Sequence, residues 1–191
     1  MEADWAAEIG PGVPQIDADW PGYVDLRAEP GRMAEVGEAA EYPPMRTALE
    51  MLNAPESAVF TGKCDVWALD AAEIDRDEFG CGGADAGVGV ASYADVMARG
   101  ASAFRSFEEH ERWARATVER LRAEALPCGR VDLVIRVATA GGFEGFGITL
   151  YAAGCGADGE AAKAAWARVL RAAAAATMRE AAPTRASSSI G

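Results

Sequence analysis

The sequence predicts an α+β domain in which antiparallel strand pairs alternate with amphipathic helices. Three observations lead there. Period-two patterning recurs at 58–69, 88–97, 131–138 and 146–153. Long helical patterns follow the second and fourth of these runs, near 103–125 and 158–180. The length of 191 residues, half of them hydrophobic and a quarter charged, suits one globular unit with a sizeable core.

The elements follow in chain order. Residues 1–20 contain Gly10-Pro11-Gly12, Pro14, Trp5 and Trp20 without a clear period, and predict an irregular N-terminal arm. Residues 21–181 then form the single domain. Residues 22–27 alternate and predict a short strand, and 31–40 predict a weak helix. Pro43 and Pro44 suit a first helical turn, Met45, Leu49 and Leu52 share a face, and Asn53 and Pro55 stop the helix. The strand at 58–69 places Phe60, Cys64 and Val66 on one face. Its other face carries Val59, Thr61, Lys63, Asp65, Trp67 and Leu69. An acidic, glycine-rich connection at 70–86 leads to the strand at 88–97.

Ser106 and Glu109 make a capping box at the start of the long helix, whose apolar stripe is Phe107, Ala114, Val118, Leu121 and Ala125. Val131, Leu133, Ile135 and Val137 share one strand face. Gly141-Gly142 turns the chain into a hairpin partner carrying Phe146, Ile148 and Leu150. The last helix shows Trp166, Val169, Leu170, Ala173 and Thr177 on its apolar side. Residues 182–191 are expected as a disordered tail.

Two stretches match in pattern. Gly87, Gly89, Tyr93 and Ala94 lead to Trp113 on a helix, as Gly145, Gly147, Tyr151 and Ala152 lead to Trp166. This predicts two strand–strand–helix repeats, at 58–125 and 131–181. The expected architecture is a two-layer sandwich, with an antiparallel sheet and helices on one face. It resembles the ferredoxin-like arrangement in the broad sense, a likeness of topology that carries no function.

The net charge is −12, with residues 1–100 at −14 and residues 101–191 at +2. An acidic field disfavours nucleic acid and anionic membrane surfaces as partners. No stretch is long and apolar enough for a membrane span, and Met1-Glu2-Ala3-Asp4 lacks the basic start of a signal peptide, so the expected location is the cytoplasm. Cys64, Cys81, Cys128 and Cys155 are separated by 17, 47 and 27 residues, with no close pair. They read as reduced thiols, and no metal or cofactor is expected.

Gly154-Cys-Gly156-Ala-Asp-Gly159 has the dinucleotide fingerprint, but no later strand follows to hold a ribose. A turn opening a helix, capped by Asp158 or Gly156, explains it. The glycines at 80–89 lack a Walker lysine, and the acidic run Asp70, Glu73, Asp75, Asp77 and Glu78 lacks calcium-loop spacing. His110, the only histidine, borders an apolar helix stripe, and Cys64 lies on a strand face; packing explains both.

The remaining candidate is the sheet face away from the helices, with Lys63, Asp65, Trp67, Arg136, Thr149 and Tyr151. Charged groups beside aromatics suit a small molecule or a protein partner. The expected function is non-catalytic binding by a cytoplasmic domain, with a homodimer as a further option. The alternative is an enzyme with a site beneath the 70–89 loop, using carboxylates with His110 or Cys64.

Overall fold

A computed structural model describes residues 1–81 and 86–179. The expected tail at 182–191, and part of the glycine-rich loop, lie outside the described residues. The fold is mixed α and β, built on an open six-stranded sheet. Strands β1 (Glu2–Glu8) and β2 (Ile16–Asp17) precede the helices α1 (Gly37–Glu41) and α2 (Pro43–Asn53). Then come β3 (Val59–Asp70), β4 (Val88–Ala98), α3 (Ala101–Phe104) and α4 (Phe107–Arg122). The hairpin β5 (Gly129–Ala140) and β6 (Phe143–Gly156) leads into α5 (Gly159–Thr177). Among the described residues no helix is long and apolar enough to cross a membrane.

The strand order is β1-β5-β6-β4-β3. The inner pairings β5–β6, β4–β6 and β3–β4 are antiparallel, as alternation and the glycine turn predict. The outer edge differs from expectation. Residues 2–8 are a strand parallel to β5, and Ile16–Asp17 add a second parallel pairing farther along it. Only Ala3 of β1 is buried, so this edge strand carries almost no apolar period to betray it. The expected strand at 22–27 does not form. Its backbone turns there, held by bonds to the Trp20 and Asp25 carbonyls.

Helices α2, α4 and α5 share one apolar cluster with Val131, Leu133, Ile135, Ile148 and Leu150 of the sheet. Burying side chains of this size stabilises by about 1.5–3 kcal/mol each. Asn53 joins α2 to β3: its Nδ2 donates to the Leu49 carbonyl and Thr61 Oγ1, and its Oδ1 accepts from the Thr61 N–H. Both caps fall where the sequence places them, but the Ser106 N–H donates to the Ala103 carbonyl at 3.1 Å rather than to Glu109, so the expected capping box is half formed. Ser106 accepts from the Glu109 N–H, and Asp158 accepts from the Glu160 and Ala161 N–H groups.

The faces of β3 are not those that simple alternation gives. Register shifts between Thr61 and Cys64. One extra residue in a bulge flips the side chains beyond it. Val59, Cys64 and Val66 therefore join the helix-side core, while Phe60 packs with Ile16, Met97 and Phe104 in a separate cluster. Asp65 pairs with Tyr93 and Trp67 with Ala91 beyond the bulge.

The glycines of the fingerprint-like stretch serve helix packing. A Cβ at Gly154 would stand 2.2 Å from the Trp166 backbone nitrogen, and one at Gly156 would stand 2.7 Å from that of Ala162. The backbone of α5 thus rests directly on β6. Gly154→Ala should lower the unfolding free energy by roughly 3 kcal/mol, because neither backbone can step aside cheaply. Urea denaturation checks this, and an unchanged midpoint would contradict the close packing.

Candidate functional site on the open sheet face

The face of the sheet opposite α5 carries a continuous row of side chains across four strands. Trp67 of β3 meets Tyr93 of β4 with ring centroids 6.4 Å apart, and Tyr93 meets Tyr151 of β6 at 6.1 Å. The guanidinium of Arg136, on β5, sits 5.8 Å from the centre of the Tyr151 ring. Pleating explains the row: Tyr93 and Tyr151 are direct cross-strand partners, and so are Tyr151 and Asp132.

Arg136 anchors the polar end. Its Nη2 pairs with Glu8 at 2.8 Å, and its Nη1 donates to Thr149 Oγ1 at 3.1 Å and to the Tyr151 hydroxyl at 3.2 Å. Thr149 in turn donates to Asp95 Oδ1 at 2.7 Å. A hydrogen-bonded chain thus runs from exposed Glu8 through Arg136 and Thr149 to buried Asp95. Burial of Arg136 opposes its charge, but the bonds to Glu8 and Tyr151 outweigh it and raise its pKa. Burial lifts the Asp95 carboxyl to about 6, against the lowering effects of the Thr149 bond and of the Arg136 and Lys63 charges. Burial, reinforced by Asp95 and Asp65, pushes the Tyr93 phenol to about 12.

Two clefts flank the row. One, of about 450 Å³, is lined by Trp67, Tyr151, Arg136, Asp132, Glu78 and Phe79, among others. The other, of about 430 Å³, lies beside the β3 edge, with Trp20, Tyr23, Lys63, Cys64 and Tyr93 in its wall.

The structure places all six sequence-predicted residues but does not gather them equally. Arg136, Thr149 and Tyr151 are in direct contact. Trp67 joins them through Tyr93. Lys63 sits in the bulge, its ammonium 5.4 Å from the Trp20 ring and thus in the second cleft. Asp65 is exposed and accepts from the Val66 N–H. Tyr93, Asp95, Asp132 and Glu8 were not among the predicted site residues. Alternation along the strand at 88–97 puts Tyr93 and Asp95 on one face, a signal present in the sequence. Glu8 comes from the strand that sequence reading missed.

The residues considered for catalysis are held elsewhere. His110 is buried, its Nδ1 lies 2.9 Å from the Ser106 carbonyl, and burial lowers its pKa. The Cys64 thiol contacts Glu38 at 3.8 Å, and burial pushes it up to about 12. Beneath the 70–89 loop, Ile74, Phe79, Cys81 and Ala86 pack against Cys155. Two acidic side chains of that loop serve its own backbone: Glu73 accepts from the Asp70 N–H, and Asp75 accepts from the Asp77 and Glu78 N–H groups. The same apolar patch brings Cys81, Cys128 and Cys155 together, a meeting that their sequence spacing did not suggest.

Comparison with known protein families, with curated proteins and with solved structures finds no significant match to this chain.

Asp95 holds its proton more tightly folded than unfolded. Its contribution to stability is complete below about pH 4 and is lost as pH rises through about 6. The unfolding free energy of Asp95→Asn relative to the parent should therefore grow by roughly 2–3 kcal/mol from pH 4 to pH 8. Denaturant titrations across that range test this, and a difference independent of pH would contradict it.

Proposed function

We propose that the open sheet face binds a small organic cation and performs no chemistry on it. The observation that carries this reading is a row of three aromatic rings beside a cleft with surplus carboxylate. The cleft of about 450 Å³ falls in the range of small-molecule sites. Its ionisable lining comprises Glu8, Glu73, Glu78 and Asp132 against Arg130 and Arg136. Both arginines are already engaged: Arg130 pairs with Glu78 and Asp132, and Arg136 with Glu8. An anionic ligand would have to displace those pairs. A cation instead meets the Trp67 ring and a lining whose four carboxylates the two arginines do not balance, and cation–π contacts contribute about 0.5–2 kcal/mol. The −12 net charge of the chain draws cations toward it. A cytoplasmic setting accords with the four free thiols.

The architecture supports the same reading. A two-layer arrangement, with the long helices on one side, leaves the middle of the opposite sheet face available. The sequence of elements, strand–strand–helix twice, differs from the β-α-β-β-α-β order, so the ferredoxin likeness extends only to helices against an antiparallel core. Two repeats related by a two-fold axis would bring Tyr93 opposite Tyr151, and these residues are indeed cross-strand partners. Duplication would then have built the ring row from one ancestral tyrosine.

Benzyltrimethylammonium is a suitable probe, followed by ligand-observed NMR and tryptophan fluorescence. The parent should bind it. Trp67→Ala should weaken binding roughly three- to thirtyfold while leaving the fold intact, since Trp67 is 37% exposed. Arg136→Ala, which removes a competing positive charge and frees the Tyr151 ring and Glu8, should instead tighten it. Unchanged affinity in folded Trp67→Ala would remove the site assignment. Failure of every small cation, with a dimer that dissociates on Trp67→Ala, would show that the face serves a second copy instead.

A further inference from the structure

A second cluster lies at the far end of the sheet from Phe104, independent of the cation-binding reading. Cys81 ends the described part of the loop after β3, Cys128 lies in the turn between α4 and β5, and Cys155 is near the end of β6. Their sequence separations are 47 and 27 residues. The three Sγ atoms nevertheless all lie within 4.8 Å of one another, and those of Cys81 and Cys155 are in contact at 2.7 Å.

We propose that Cys81, Cys128 and Cys155 form a three-thiolate site for a thiophilic d10 metal ion, Zn²⁺ or Cu⁺. Three sulfurs bonded at about 2.3 Å to one ion stand roughly 3.8–4.0 Å apart. Small side-chain rotations convert the observed cluster into that arrangement. A pairwise disulfide would account for two of the sulfurs and leave the convergence of the third without a reason.

The backbone around the cluster is set before any ion arrives. The Cys155 N–H donates to the Cys128 carbonyl at 3.0 Å, the Gly129 N–H to the Phe79 carbonyl at 2.9 Å, and the Cys81 N–H to the Arg76 carbonyl at 3.1 Å. These bonds tie all three cysteine-bearing segments together. Cys128 also has φ of +56°, the only positive φ outside glycine among the described residues. That conformation costs a side chain with a Cβ about 1–2 kcal/mol, and the residues that tolerate it best are asparagine and aspartate. A strained cysteine aimed at two others is the kind of outlier that marks a ligand site.

The chemistry of the donors selects the ion. Among the described residues no histidine or carboxylate joins the group, so the site offers sulfur alone. Sulfur-only donors prefer zinc and copper(I) over hard cations such as Mg²⁺ or Ca²⁺. Three protein ligands suit a trigonal Cu⁺, or a tetrahedral Zn²⁺ that takes its fourth ligand from solvent. Ile74, Phe79 and Ala86 keep the surroundings apolar, and burial raises the pKa of all three thiols. Metal entry would therefore displace up to three thiol protons to solvent as the metal–sulfur bonds form. Arg76 is the nearby cation that favours the thiolates of Cys81 and Cys155. The ion would pin the 71–81 segment to the sheet, and with it Phe79 in the wall of the cleft.

The test uses the full chain, reduced and stripped of metal. Zn²⁺ is titrated against a chromophoric chelator, and Cu⁺ against a copper(I) chelator under anaerobic conditions. One equivalent of either ion should bind, and the one that competes better names the resident metal. Co²⁺ as a spectroscopic probe should give thiolate-to-cobalt charge-transfer absorption. Cys81→Ser, Cys128→Ser and Cys155→Ser should each abolish stoichiometric binding, whereas Cys64→Ser should keep it. Alkylation of the unmutated protein, read by mass spectrometry, avoids any folding defect in the variants. Metal should shield these three cysteines and leave the labelling of Cys64 unchanged. Absence of stoichiometric binding of both ions would overturn the site, as would a Cys81–Cys155 disulfide that persists under glutathione and excludes metal.

Discussion

The closeness of α5 to the sheet sets most of the other dimensions of this molecule. Where Gly154 faces the backbone of Trp166, there is no space for even a methyl group. That proximity seats the Trp166 indole deep in the core, where its Nε1 donates to Ser92 Oγ at 2.9 Å. Ser92 belongs to β4 and Gly154 to β6, so a single helix clamps both central strands. Val169, on the same helix, presses on Gly129 at the start of β5 in the same manner. A chain with alanine at these glycines would have to lift the helix and lose the interlocking of its core.

With one sheet face committed in this way, the other is free to carry polar chemistry. It is bounded rather than flat. At one end Ile16, Phe60, Met97 and Phe104 close over it. At the other, Ile74 and Phe79 do the same beside the cysteine cluster. Between these apolar ends lie the aromatic row and the Glu8–Arg136–Thr149–Asp95 chain. The buried carboxyl is tolerable because a hydroxyl satisfies it and because its proton is retained to a higher pH than an exposed aspartate would retain it.

Much of this was legible in the sequence, and the exceptions have physical reasons. The long antiparallel strands and the two long helices announced themselves by period, and helix caps at Ser106 and Asp158 marked where two helices start. The six open-face residues were readable from alternation, yet the faces of β3 before the bulge were not. A bulge leaves no compositional mark beyond Gly62 and Lys63, and one inserted residue moved Phe60 away from Cys64 and Val66. Strand β1 was missed because its side chains are mostly exposed and its pairing is supplied by a distant partner. The cysteine cluster was hidden for a related reason. Spacing along the chain reveals ligands that share a loop, whereas Cys81, Cys128 and Cys155 meet only after three separate segments have folded.

The pairing of β1 also bears on how the protein is made. Glu8 and Arg136 are neighbours across the sheet but are 128 residues apart in the chain. At the usual pace of synthesis, the ribosome needs on the order of ten seconds to cover that distance. During that interval the first strand has left the ribosome with no partner to dock on. Three of its seven residues are acidic, and alanine makes up most of the rest, which limits non-specific association while it waits. The Glu8–Arg136 contact cannot form before Arg136 has been made, so the edge of the open face is completed only when nearly the whole sheet exists.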